Sequence, residues 1–246
     1  MHLICGFAKR LAFVAAGPIV LSSAVYGFAA APIEHTAPTI SPEAALAELT
    51  RGNLRFVESR RINSTDTDHD DENRQSLAHE QHPLVAVLTC SDSRVCPEFM
   101  FDQRLGGIFD IRNAGNLVDE DVMASMEYAV HHLHVPLLLV LGHKRCGAIK
   151  AVHNADSNPL DGHLKAFQDH MAGLKEEIHR THHDHSEQCL DRLALENARL
   201  QAKLLLKDSQ PIREAVARGT TQLHYGLYDI ETGKVDLHRL RPQGVR

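Results

Sequence analysis

Two short stretches carry groups that could do chemistry together. Cys90-Ser-Asp92-Ser-Arg94 follows the apolar run "PLVAVLT" (83–89), and Gly142-His143-Lys-Arg-Cys146-Gly147 follows "VPLLLVLG" (135–142). Two thiolates and one imidazole suit a tetrahedral zinc ion, with one position left for water or for a weak ligand such as Asp92. Asp92 and Arg94, two residues apart in a turn, have the spacing of a charge-assisted pair. H-x-x-C alone is unspecific. Joined to C-x-D-x-R, with each directly after a strand-like run, it becomes a constellation. The alternative is a pair of buried thiols and a surface histidine.

The surrounding pattern must bring these turns together. Ser41 as N-cap, Pro42 at the first helical position and apolar Leu46, Leu49, Phe56 and Val57 predict a helix. The runs at 83–89 and 135–142 are continuous and apolar, as in strands buried on both faces. "GGIFDIR" (106–112) reads as a shorter strand. Val122, Met126, Ala129, Val130 and Leu133 recur at helical spacing over 119–134. Residues 161–182 and 187–218 read as amphipathic helices, the second interrupted at Pro211. Residues 221–240 close as two strands around Thr232-Gly233. Alternating strands and helices predict a single α/β domain over 41–246, with a mostly parallel central sheet of four to five strands flanked by helices. Ligands of such sheets bind beyond the carboxyl ends of the strands, so both turns should face one crevice.

The 246 residues are enough for one large domain with its own core. A net charge of −6 gives no basic footprint and argues against a nucleic-acid partner. Lys9 and Arg10 precede the short apolar run 11–21, and small residues follow up to Ala29–Ala31, the layout of a cleavable signal peptide over 1–31. Gly17 and Pro18 break that run, which is shorter than the roughly 20 residues a membrane span needs. The mature chain is expected to be periplasmic or secreted, without a membrane span, after a Pro- and Thr-rich linker at 32–40. Losing Lys9, Arg10 and Cys5 would take the charge from −6 to −8 and leave Cys90, Cys96, Cys146 and Cys189.

"CSDSRV", "FDQRLGGIFDIRNAGN", "MEYAV" and "GHKRCGAIKA" resemble the β-class carbonic anhydrases, in order and at that family's spacing. The likeness runs back through "ALAELTRGNLRFVES" and forward through "ENARLQAKLLLKDSQPI" and "YDIETGKV", covering roughly 41–237. It implies one zinc ion per subunit on Cys90, His143 and Cys146, and hydration of carbon dioxide to bicarbonate and a proton by zinc-bound hydroxide. It also implies that Arg94 holds Asp92 off the metal, Asp92 being a fourth ligand when that pair breaks. By offset, Gln81 matches a substrate-binding glutamine, and Phe109, Ala114 and Tyr128 match pocket walls. These walls come from both subunits, which implies a homodimer or a tetramer of dimers. Val87 stands where some members carry a regulatory tryptophan, so inhibition through that site is not expected. Relatives on the same scaffold hydrolyse carbon disulfide or carbonyl sulfide, and a catalytically inactive zinc-binding protein is the reading from outside enzymology.

Other features read as solvated surface. "HRTHHDHSEQC" (179–189) fits no defined ligand spacing, and "DTDHDDE" (66–72) lacks the glycine and terminal glutamate of a calcium loop. Cys96 belongs to the family motif without being a ligand. Asp110 departs from the family's usual aliphatic residue and would need a partner.

Overall fold

Ser41 does cap the first helix: its Oγ accepts the Ala44 N–H at 3.2 Å, and Pro42 opens α1 (Pro42–Val57). The computed structural model describes residues 40–63, 74–155, 157–171 and 186–241. The expected signal segment, the expected linker apart from Ile40, most of the acidic stretch and histidines 179–185 lie outside the described residues. The buried face of α1 runs through Ala45, Leu49, Gly52 and Asn53, with Leu46 and Phe56 at its margin. Asn53 shifts the face from the expected stripe. Its amide donates to the Met100 and Gly233 carbonyls at 3.0 and 2.9 Å, and its Oδ1 accepts the Val235 N–H at 3.0 Å.

Five strands form one sheet in the order β2-β1-β3-β4-β5. They are β1 (Val85–Cys90), β2 (Ile108–Asn113), β3 (Leu137–His143), β4 (Gln222–Tyr228) and β5 (Val235–Leu240). The first four are mutually parallel, and β5 pairs antiparallel with β4 across the Gly233 turn. Every residue of β1 and β3 is buried, as two-sided coverage demands of central parallel strands.

Alternate side chains feed two cores. Ala86, Leu88, Leu138 and Val140 pack under α3 (Glu120–His131), α5 (Glu187–Asp208) and α6 (Gln210–Arg218). Val85, Val87, Leu137, Leu139 and Leu141 meet α1 and the short α2 (Pro97–Met100) on the other face. Each fully buried leucine contributes about 2 kcal/mol.

The long helix expected over 187–218 breaks at Ser209, two residues ahead of Pro211, because Ser209 caps α6 by accepting the Ile212 N–H at 3.2 Å. Among the described residues, α2 and α4 (Gly147–His153) escaped the sequence pattern, being too short at four and seven residues for a periodicity to register. Among the described residues no helix is long and apolar enough to cross a membrane.

One contact fixes the helical layer to the site. A Cβ at Gly142 would lie 2.7 Å from the Ala194 carbonyl oxygen, so α5 rests directly on the backbone of β3 one residue before His143. Only glycine allows that approach.

Candidate active site

The sheet register delivers the two turns to one place. Thr89 pairs with Leu141, so β1 and β3 end side by side and release Cys90 and His143 at the same edge. Cys146 follows as the N-cap of α4. The ligand atoms of Cys90, His143 and Cys146 lie within 4.8 Å of one another, and all three residues are buried.

The donor set fits a metal. The two sulfurs stand 3.9 Å apart, against about 3.8 Å for two thiolates on a tetrahedral zinc at the usual Zn–S length. His143 Nδ1 lies 2.9 Å from the Lys144 carbonyl, which can only accept, so the proton is on Nδ1 and Nε2 presents a lone pair. Nε2 is buried and has no hydrogen-bond partner, the state expected of a nitrogen kept for a metal. Beside Cys146, and against the opposing effect of burial, the Cys90 thiol is held below its ordinary value, helped by His143 and by the Gly115 and Asp92 amides. Cys146 is pushed the other way by Cys90 and by burial, as befits two adjacent thiols that compete for one proton.

Asp92 and Arg94 form the expected pair. Arg94 Nε donates to Oδ1 at 2.9 Å, Nη2 to Oδ2 at 2.7 Å, and the Arg94 main-chain N–H to Oδ1 at 3.0 Å. This clasp, against a weaker desolvation effect, holds the Asp92 carboxyl well below the ordinary carboxylate range. Oδ2 also stands 3.9 Å from His143 Nε2, so the clasped carboxylate borders the ligand cluster.

Ala114 adjoins the cluster through its neighbour Gly115, whose N–H points at Cys90 Sγ at 3.4 Å. Gln81, Phe109 and Tyr128 are not brought there within one chain. Gln81 is exposed ahead of β1. Phe109 pairs with Ala86, four strand positions short of Cys90, or about 13 Å along the strand. Its ring lies 6.1 Å from that of Tyr128, which is 44% exposed on α3.

Sequence reasoning missed the groups that hold the turns. Arg112 donates twice to the Cys90 carbonyl, both at 3.1 Å, and once to that of Asp92 at 2.8 Å, pinning the first turn to β2. Asn113 clamps Leu117 in both directions, at 2.7 and 2.8 Å. Lys144 pairs with Asp229 at 3.1 Å and Arg145 with Glu231 at 2.9 Å, so these cations serve the second turn rather than the crevice. The signal for the first group was the polar run "RNAGN" (112–116), which begins with the last two residues of β2. Cys96 lies outside the cluster, its thiol 3.5 Å from Glu98.

Known proteins agree with this arrangement. Residues 85–235 match a family model described as carbonic anhydrase. The chain is 33% identical over 208 residues to carbonic anhydrase 2 of Mycobacterium tuberculosis, covering 81% of this chain and 94% of that protein. Among solved structures, the β-carbonic anhydrase CcaA superposes with a TM-score of 0.64 at 28% identity, over 77% of this chain and 98% of the other. A Sordaria macrospora structure, one of two described as tetrameric β-carbonic anhydrases, gives 0.62 at 24% identity over 76% and 98%, and supports the fold alone. With five strands in this order, a Cys-His-Cys cluster at their carboxyl edge and these relatives, the chain belongs to the β-class carbonic anhydrases.

Proposed function

We propose that the chain is a zinc-dependent carbonic anhydrase in which Cys90, His143 and Cys146 hold the metal, one ion per subunit, and Asp92 and Arg94 govern access to it. The observation that carries this reading is the buried Cys-His-Cys cluster with a clasped carboxylate 3.9 Å from His143 Nε2. Zinc bound there would lower the pKa of a coordinated water from about 15.7 towards about 7 and so supply a nucleophile at neutral pH.

The chain's own groups do the rest. Arg94 occupies both oxygens of Asp92 and keeps the carboxylate ionised and held at the border of the three ligands rather than among them. Oδ2 is then placed to accept a hydrogen bond from the nucleophile and so to aim its lone pair. Arg112 and Gly115 keep Cys90 in position, and Ala114 walls the near side. Stopped-flow carbon dioxide hydration by wild type and Cys90→Ala, with zinc content measured alongside, tests the assignment. Zinc-loaded wild type with no hydration above buffer would overturn it.

The same reading makes the protein at least a homodimer, or a tetramer of dimers, with Gln81, Phe109 and Tyr128 walling the site of a second copy. Support comes from half-buried Phe109, which stands too far along β2 to wall the site of its own chain, and from exposed Tyr128 beside it on α3. Residues 1–31 are read as a signal peptide and 32–40 as a linker to a catalytic domain over 41–246, making the mature enzyme periplasmic or secreted. The charged start, short apolar run and small-residue end of 1–31 support this, and the N-terminus of the mature protein tests it.

A further inference from the structure

Helix α5 carries two fully buried amides, Asn197 and Gln201, in an otherwise apolar stripe of Leu193, Ala194, Ala198, Ala202 and Leu205. Buried amides persist only where their hydrogen bonds are made, and these are made in a line. Gln201 Oε1 accepts the Val118 N–H at 2.8 Å, and its Nε2 donates to Asn197 Oδ1 at 3.1 Å. Asn197 Nδ2 donates to the Gly115 carbonyl at 2.9 Å. The Gly115 N–H, at the other end of that residue, points at Cys90 Sγ.

Gly115 and Asn116 are both left-handed, at φ +79° and +46°, so this loop is held in a conformation it would not choose alone. The same helix touches the β3 backbone at Gly142, beside His143. One rigid element therefore contacts the backbone next to one ligand and the loop that hydrogen-bonds another.

We propose that Asn197 and Gln201 are positioning residues for the metal centre, acting through the Gly115 amide on the Cys90 sulfur. The Asn197–Gly115 bond fixes the tilt of the loop, and the tilt decides whether the Gly115 N–H reaches the thiolate. Gln201 anchors the loop's far end at Val118 and orients the Asn197 amide. Neither residue touches substrate.

This inference rests on Cys90 being a metal ligand, and the test separates the two. Zinc affinity is measured by chelator competition, and the cobalt-substituted protein gives the thiolate-to-metal charge-transfer band, for wild type, Asn197→Leu, Gln201→Met and Leu205→Ala. Leu205→Ala is a cavity variant on the same helix that leaves the amides alone. Asn197→Leu is expected to bind zinc about ten- to a hundredfold more weakly. Its charge-transfer band should move to lower energy, because a thiolate without its N–H partner is a better donor. Gln201→Met should move both readouts the same way by less, and it decides the matter if Asn197→Leu does not fold. Leu205→Ala should melt earlier with the band unmoved. A folded amide variant with wild-type affinity and band, or a Leu205→Ala band shifted as far as that of Asn197→Leu, would overturn the inference alone. A wild type that binds neither zinc nor cobalt would overturn the ligand assignment beneath it.

Discussion

Arg94 clasps Asp92 through two side-chain nitrogens, and its Nη2 also reaches the main-chain carbonyl of Arg145 at 3.4 Å, next to Cys146. The guanidinium thus ties the carboxylate of the first turn to the backbone of the second. Its planar fork permits this, since it can serve carboxylate and carbonyl at once where a lysine ammonium would have no fixed geometry.

Arg94→Ala should therefore release Asp92 towards the ligands it already borders. The freed carboxylate would compete for the metal's open side, and hydration at pH 7 should fall on the order of 100-fold, with zinc still bound. Stopped-flow rates against zinc content check this. An Arg94→Ala enzyme of wild-type rate would remove the pair from the mechanism.

Outside the Cys-His-Cys cluster, Asp102 is buried in left-handed backbone and takes hydrogen bonds from Arg55 Nε and from the Ile62 and Asn63 amides. Burial alone would raise its pKa, but these donors outweigh it and hold the group below the ordinary value. A depressed carboxylate adds stability above its unfolded pKa and loses it as pH falls through the folded one. Asp102→Ala should cost about 3 kcal/mol at pH 7, less at pH 3, as read from urea unfolding at both pH values.

Strands and the Cys-His-Cys cluster were legible in the sequence for one reason: β1 and β3 are buried on both faces, so their apolar runs are unbroken and their ends are marked by the reactive turns. Groups that act from a distance left fainter marks. Asn197 and Gln201 interrupt an apolar helical stripe, a pattern that shows burial of polar groups without showing what they bond. Arg112 lies in a strand whose exposed alternate positions look like solvent. The break at Ser209 came from a cap, which acts ahead of the proline that periodicity singles out. Phe109 and Tyr128 had family offsets in their favour, and only the structure shows how far along β2 Phe109 stands, with Tyr128 beside it on α3.

Asp110, on the edge strand β2, is a site of the opposite sign. Its side chain is exposed in the single chain, but partial desolvation by the neighbouring protein, reinforced by the charge of Glu98 and only partly offset by Arg112, raises its pKa to about 6. A raised carboxylate is neutral in the fold where it is already ionised in the unfolded chain, so it costs stability as pH climbs from about 4 to about 6. Covering the β2 edge with a second copy would act in the same direction. Asp110→Asn should raise the melting temperature at pH 8 and leave it unchanged at pH 3.5. An equal gain at both would assign the effect to something other than charge.

Gly142→Ala tests the seat of α5 on β3. The added carbon would lie 2.7 Å from the Ala194 carbonyl oxygen, backbone against backbone, so helix or strand must move. A loss of about 2 kcal/mol is expected from such overpacking, together with a fall in zinc per chain because His143 is the next residue. Thermal melts and metal analysis of the same preparation read both. Full zinc occupancy in a destabilised variant would show that the ligand turn is held independently of the helix.

Whether one chain walls the site of another can be decided by mixing two dead variants. Cys90→Ala lacks a metal ligand and keeps Phe109 and Tyr128; the double variant Phe109→Ala/Tyr128→Ala keeps the ligands and lacks the walls. In a two-fold dimer with composite sites, a mixed pair joins intact ligands from one chain to intact walls from the other. Random reassembly from equal amounts should then restore about a quarter of wild-type hydration, since half the dimers are mixed and each has one working site of two. Walls acting within their own chain would restore nothing, because no chain carries both halves. The register makes the first outcome the expected one: Phe109 sits four strand positions from Cys90, with the exposed Tyr128 ring tilted beside it.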